Sequence, residues 1–201
     1  MSATRTPRIV LIAGSPRRRG NSDLLLDAFE AGAREAGANL TRIVAATASV
    51  EPCRGCQGCS KTGACVIRDG MGAIYQALDA ADGLAVATPV YFASVPAVLK
   101  ALYDRMQPYW ARRYVLHEPP APKRPASLLV VAGGGDPFGH GCAVTVSRSA
   151  LQVAGFEVPD DALLEVVGPD AAGDVSGDAA AVAAARAMGA RLVERARAHT
   201  A

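Results

Sequence analysis

Hydrophobic and polar positions along the chain follow two alternating rhythms. Ile9-Val10-Leu11-Ile12-Ala13 is an unbroken apolar run rich in β-branched residues, the pattern of a strand buried on both faces. From Asp23 onward the apolar residues Leu24, Leu25, Ala28, Phe29 and Ala33 recur at helical spacing, which predicts a helix that starts at an N-cap Asn21 or Ser22 and stops near Ala36-Gly37, with glycine just past its end. Asn39 to Ala45 reads as a second strand, Met71 to Ala81 as a helix with Asp69 at its positive end, and Leu84 to Thr88 as a third strand. A helix over Ala97 to Met106 follows. Pro108 to Pro125, with five prolines and the single Trp110, reads as an irregular surface excursion. Ser127 to Ala132 predicts a fourth strand, Cys142 to Ala154 a helix, Ala162 to Val167 a fifth strand and Asp178 to Ala198 a closing helix. Five β/α pairs in alternation predict a doubly wound, five-stranded parallel sheet in a three-layer α/β/α arrangement.

With 201 residues the chain suits one domain, 1–201, and neither a repeat nor an internal boundary interrupts it. Twenty-one Lys and Arg against 19 Asp and Glu give a net charge of +2, which predicts no nucleic-acid partner. Met1 to Arg8 carries charge but no apolar core, and no apolar run approaches a membrane span; both features predict a cytoplasmic protein without a membrane partner.

Composition leaves one anomaly. Of five cysteines, four crowd into Cys53-x2-Cys56-x2-Cys59-x5-Cys65, interleaved with Gly55, Gly58 and Gly63. A reducing compartment makes a disulfide framework a poor explanation. Four soft donors on a loop able to curl suit a metal group, either an iron–sulfur cluster or zinc, although zinc sites usually split into two separated pairs. A loop without metal is the third reading. Cys142, in an apolar helix, reads as a small buried hydrophobe, and His117, His140 and His199 have no spacing that suggests a metal site or a triad.

In an open parallel sheet, ligands bind beyond the carboxyl ends of the strands. Three loops leave that edge. Gly14-Ser15-Pro16-Arg17-Arg18-Arg19-Gly20-Asn21-Ser22 carries small, hydroxyl, amide and basic side chains before a helix N-terminus, which suits a terminal phosphomonoester. It lacks the Lys-Ser/Thr of the Walker loop and the Gly-x-Gly-x-x-Gly of dinucleotide folds. Pro89-Val90-Tyr91-Phe92-Ala93-Ser94 offers aromatic rings and backbone groups to a flat heterocycle, and Gly133-Gly134-Gly135 offers bare backbone for close approach. Read singly, Tyr91 and Phe92 cover a sheet edge and the glycines form a turn. Taken together, the three describe a mononucleotide site.

The blocks Gly14-Ser15-Pro16-Arg17…Gly20-Asn21-Ser22 and Pro89-Val90-Tyr91…Pro96…Leu99-Lys100…Asp104-Arg105 resemble the NADPH-dependent FMN reductases of flavodoxin-like fold. The resemblance implies non-covalent FMN, with Ser15, Arg17, Asn21 and Ser22 at its phosphate. It further implies Pro89, Val90, Tyr91, Phe92 and Ser94 along the ribityl chain and ring. The cysteine spacing is similar to that of the iron-sulfur flavoprotein branch, implying a [4Fe–4S] cluster on Cys53, Cys56, Cys59 and Cys65 beside FMN. It differs from a ferredoxin in its longer last interval and in the lack of a proline after Cys65. The function implied by the resemblance is that of an FMN-dependent oxidoreductase that draws hydride from NAD(P)H for a small-molecule electron acceptor. The alternative is a one-electron carrier with a ferredoxin-like partner. The family's habit implies a homodimer or homotetramer, with Tyr109 and Trp110 placed either to reach a neighbour's flavin or simply to pack.

Overall fold

The computed structural model describes residues 5–200, so the first four residues of the Met1 to Arg8 stretch lie outside it. Its strands are β1 (Arg8–Ala13), β2 (Asn39–Val44), β3 (Gly83–Pro89), β4 (Arg124–Ala132), β5 (Phe156–Glu157) and β6 (Leu163–Val167). The helices are α1 (Asn21–Glu35), α2 (Cys59–Thr62), α3 (Met71–Ala80), α4 (Ala97–Asp104), α5 (Gln107–Tyr114), α6 (Gly141–Val153) and α7 (Ala179–Thr200). All strand pairs are parallel, in the order β2-β1-β3-β4-β5 with β6 also on β4. The expected fifth strand, Ala162 to Val167, is β6, which pairs with the end of β4 from Leu128 to Ala132; the two-residue β5, which the sequence reading did not include, pairs with the start of β4 at Arg124 and Pro125.

The two-residue period of the strands sorts the core. Val10, Ile12, Leu84, Val86, Leu128 and Val130 pack on the face covered by α3, α4 and α6. Their neighbours Ile9, Leu11, Ala13, Ala85, Ala87, Leu129 and Val131 pack on the opposite face under α1 and α7. This is the three-layer α/β/α fold that the alternation predicts. Between α1 and α7 the approach is close enough to require glycine. A Cβ on Gly32 would lie 1.9 Å from the carbonyl oxygen of Arg186, and one on Gly189 would lie 2.1 Å from that of Phe29.

Several local expectations are corrected. The N-cap of α1 is Gly20 rather than Asn21 or Ser22, and it has no side-chain cap. Pro108 opens α5 instead of breaking it, because the first helical turn needs no amide donor there. The excursion of Pro108 to Pro125 therefore contains two turns of helix that bury Tyr109 and Ala111. A short helix, α2, interrupts the cysteine loop. Cys142 is exposed near the start of α6, not buried, since the apolar stripe of that helix runs through Ala143, Val144 and Leu151. The predicted stop of α1 holds: Gly37 follows the C-cap with φ of +81°. Among the described residues, no helix is long and apolar enough to cross a membrane.

Candidate functional site

The loop after β1 begins at Gly14, whose amide donates to the Ala87 carbonyl at 2.8 Å. A Cβ at Gly14 would lie 2.6 Å from Leu99 Cδ2 and 3.0 Å from that carbonyl, so glycine lets the loop lie flat on β3 and α4. Ser15 is 7% exposed, and its Oγ accepts the Arg17 amide at 3.0 Å. Asp23 accepts the Arg19 amide at 3.0 Å. Held this way, the loop leads straight into α1, where the amides of Asn21 and Ser22 have no carbonyl to bond within the helix and no side chain caps them. Orphan amides and the positive end of a fifteen-residue helix stand close in the chain to the exposed Arg17, a combination that suits an anion.

Beside it, Tyr91 to Ser94 forms a tight turn closed by two backbone bonds, Tyr91 N to Ser94 O at 2.8 Å and Ser94 N to Tyr91 O at 3.1 Å. Its central residues are Phe92 and Ala93, with φ of +50° and +60°. Two consecutive side-chain-bearing residues in the left-handed region are costly, and such strain collects at ligand clamps. Phe92 is 99% exposed at the tip.

The three loops converge. Ser15, Arg17 and Asn21 from the first, Pro89, Val90, Tyr91 and Phe92 from the second and Gly133 from the third line one cleft of about 420 Å³. The other predicted residues are placed differently. Ser22 is buried beneath the loop. Ser94 closes the turn rather than lining the cleft, and Gly134 and Gly135 are exposed outside the lining. The side chain of Asn21 is engaged elsewhere: its Nδ2 donates to Ala171 O at 2.9 Å, and its Oδ1 accepts the amides of Gly173 and Val175 at 3.0 and 3.2 Å. A direct side-chain bond from Asn21 to phosphate is thereby replaced by a clamp that fixes the 171–175 segment against the loop. This segment brings two unpredicted residues, Pro169 and Asp170, to the cleft. Neither belongs to a periodic stretch or a recognisable motif, so the sequence carried no signal for them.

A second cavity, of about 450 Å³, is lined by Cys53, Cys56, Cys59 and Cys65 together with Trp110, Val115 and Arg105. All five cysteines of the chain are free thiols. Burial pushes the Cys59 thiol up, and like charge on Cys65, Cys53 and Cys56 pushes it the same way. Among the described residues, no three His, Cys, Asp or Glu side chains converge closely enough to hold a single ion.

The rim is rigid. The buried Arg105 guanidinium bonds the Asp69 carboxylate through both terminal nitrogens, at 2.7 and 3.0 Å, and holds the Asp69 pKa below the usual carboxylate range despite burial. Asp69 also accepts the Met71 amide at 3.0 Å, as expected of an acidic group at the start of α3. Tyr109 is buried; its hydroxyl donates to Asp79 at 2.9 Å and its ring meets Tyr75 edge-on at 5.9 Å, so it packs within its own chain. Trp110 is the aromatic residue that reaches the cavity. The cysteine cavity and the cleft lined by Ser15, Tyr91 and Gly133 have no lining residue in common.

The profile of the NADPH-dependent FMN reductase family matches residues 7–166. The chain belongs to that family. An iron-sulfur flavoprotein of Methanosarcina thermophila is 41% identical over 98 residues, which is 49% of this chain and 51% of that protein. Another, of Archaeoglobus fulgidus, is 34% identical over 130 residues, covering 65% of this chain and 57% of that protein. The chain thus spans little more than half the length of these relatives. Among solved structures, an NAD(P)H:quinone oxidoreductase from Methanothermobacter marburgensis superposes with a TM-score of 0.67 at 20% identity, covering 94% of this chain and 98% of that one. At that identity the likeness is one of fold, and it agrees with the flavodoxin-like strand order.

Proposed function

We propose that the chain binds FMN in the cleft between Ser15, Tyr91 and Gly133 and works as an NAD(P)H-dependent oxidoreductase. The observation that carries this reading is the meeting of eight residues from three separate strand ends in one cleft with an uncapped helix N-terminus at one side. Orphan amides of α1, the Ser15 hydroxyl and the Arg17 guanidinium hold the phosphate. The strained Phe92-Ala93 turn presents backbone and aromatic surface to the flat ring, and Gly133 lets the backbone approach. When bound, FMN supplies hydride acceptance and single-electron release, while the protein supplies orientation and control of solvent access. Cys53, Cys56, Cys59 and Cys65, which line one cavity, would hold a [4Fe–4S] cluster, which would supply one-electron exchange. The similarity to proteins named iron-sulfur flavoprotein supports the same assignment.

That donor set favours a second reading beside the first: a one-electron carrier that takes electrons from a ferredoxin-like donor instead of from NAD(P)H. In the first reading the partner is a small-molecule electron acceptor. Phe92 and Phe138, 99% and 82% exposed, suit burial between copies of the chain in a homodimer or homotetramer. Five free thiols accord with a reducing, cytoplasmic setting.

The test is the visible spectrum of protein purified without oxygen, with iron and acid-labile sulfide analysis. Flavin bands on a broad shoulder, with about four irons per chain, are expected. Absence of flavin after incubation with FMN would overturn the reading. Bleaching by NAD(P)H alone supports the enzyme, and bleaching only by reduced ferredoxin supports the carrier.

A further inference from the structure

Arg105, 1% exposed, is the bulkiest of the fully buried side chains and lies at the C-terminal end of α4. Its Nη1 donates to the Glu51 carbonyl at 2.8 Å and to Asp69 Oδ2 at 2.7 Å, and its Nη2 donates to Asp69 Oδ1 at 3.0 Å. Glu51 stands two residues before Cys53 and Asp69 four residues after Cys65. The Glu51 amide in turn donates to Asp69 Oδ2 at 2.8 Å. One guanidinium therefore ties both ends of the cysteine loop to α4 and to each other. The third nitrogen, Nε, is buried with no hydrogen-bond partner, although Arg105 lines the cavity that holds the four cysteines. An arginine needed only as a clamp has no use for an orphaned buried donor, which costs free energy unless something accepts from it.

We propose that Arg105 is a positioning and potential-setting residue for the group held by Cys53, Cys56, Cys59 and Cys65: its terminal nitrogens close the loop, and its Nε–H is the donor kept for a sulfur of that group. The inference rests on the iron–sulfur reading of the cavity. A cluster carried by four thiolates is an anion, and one-electron reduction adds one negative charge without requiring a proton. A buried cation and a hydrogen bond to sulfur both stabilise the more negative state, so they raise the reduction potential. Asp69 works against this by neutralising part of the cation.

The experiment compares wild type, Arg105→Lys and Asp69→Asn, purified without oxygen, by iron and sulfide content, circular dichroism and a spectroelectrochemical titration of the cluster absorbance. Lysine keeps the charge but has no fork and no Nε. The expected result for Arg105→Lys is a potential lower by about 59 mV, a tenfold change in the one-electron equilibrium. Asp69→Asn leaves the guanidinium without its counter-ion, and its potential is expected to rise. A loop that is merely loosened shifts both variants in the same direction, and that outcome, or no shift in Arg105→Lys, overturns the proposal. A folded Arg105→Lys that loads no iron supports the holding role, since lysine cannot join both ends of the loop. Should Arg105→Lys not fold, a rise in Asp69→Asn upholds the proposal and a fall or no change rejects it. Wild type without iron overturns the reading of the cavity and this inference with it, whereas iron-loaded variants with unmoved potentials overturn this inference alone.

Discussion

Removal of the Ser15 hydroxyl separates phosphate recognition from the rest of the cleft. Ser15 Oγ spends one lone pair on the Arg17 amide at 3.0 Å, which leaves its O–H free to donate to an anion in the cleft that it lines. A hydrogen bond to a charged group contributes about 1.5–3 kcal/mol. With about 1.4 kcal/mol per tenfold, Ser15→Ala should weaken FMN binding by roughly 10- to 150-fold. The assay is titration of flavin-free protein into FMN, followed by quenching of flavin fluorescence. Riboflavin has the same ring and ribityl chain but no phosphate, so its Kd should stay within about twofold between wild type and variant. An FMN Kd that changes by less than about twofold, or an equal loss for riboflavin, would refute the placement of the phosphate at this loop.

Packing and charge lead to three further expected outcomes. Gly189→Ala puts a methyl group 2.1 Å from the Phe29 carbonyl oxygen and forces α1 and α7 apart, so it should destabilise by about 2 kcal/mol despite the higher helix propensity of alanine. Thermal unfolding should then show a melting temperature lower by about 5 °C. The same substitution at Gly72, on α3 with open space around its Cβ, should instead stabilise by up to about 1 kcal/mol, and a loss of stability there would contradict the packing argument. Burial pushes the pKa of Asp82 up, but the Arg5 guanidinium and the Arg8 amide at 2.7 Å outweigh it and hold the group below its usual 3.8. A carboxylate so depressed stabilises the fold fully above about pH 4 and ceases to do so as pH falls through its folded pKa. Urea midpoints measured from pH 7 down to pH 2 should therefore decline less steeply for Asp82→Asn than for wild type, from a lower starting value.

Much of the fold was legible because its signals are local. Apolar runs such as Ile9 to Ala13 and Leu84 to Thr88 are long enough to mark buried strands, and Leu25, Phe29 and Ala33 recur at the period of a helix. Parallel strands joined by helices then leave few topologies open. The three loops of the cleft were legible for the same reason: each follows directly on a strand, and sheet topology brings the carboxyl ends of parallel strands to one edge. The cysteines announced themselves by spacing alone.

Where the sequence misled, a partner distant along the chain decided the matter. Asn21 reads as a cap or phosphate ligand, yet its amide is taken by Ala171, Gly173 and Val175, some 150 residues away. Pro169 and Asp170 reach the cleft only because of that clamp. Pro108 to Pro125 reads as an irregular excursion, but Pro108 sits where a helix begins and Tyr109 finds Asp79 and Tyr75. Arg105 shows the division most plainly. Its sequence neighbours place it at the end of an amphipathic helix, and nothing in that pattern says that it is buried or that it joins Glu51 to Asp69. Periodicity and turn chemistry belong to the sequence because they act between residues close in the chain; the partners of a polar side chain belong to the tertiary structure because burial drives most donors to an acceptor wherever the fold provides one.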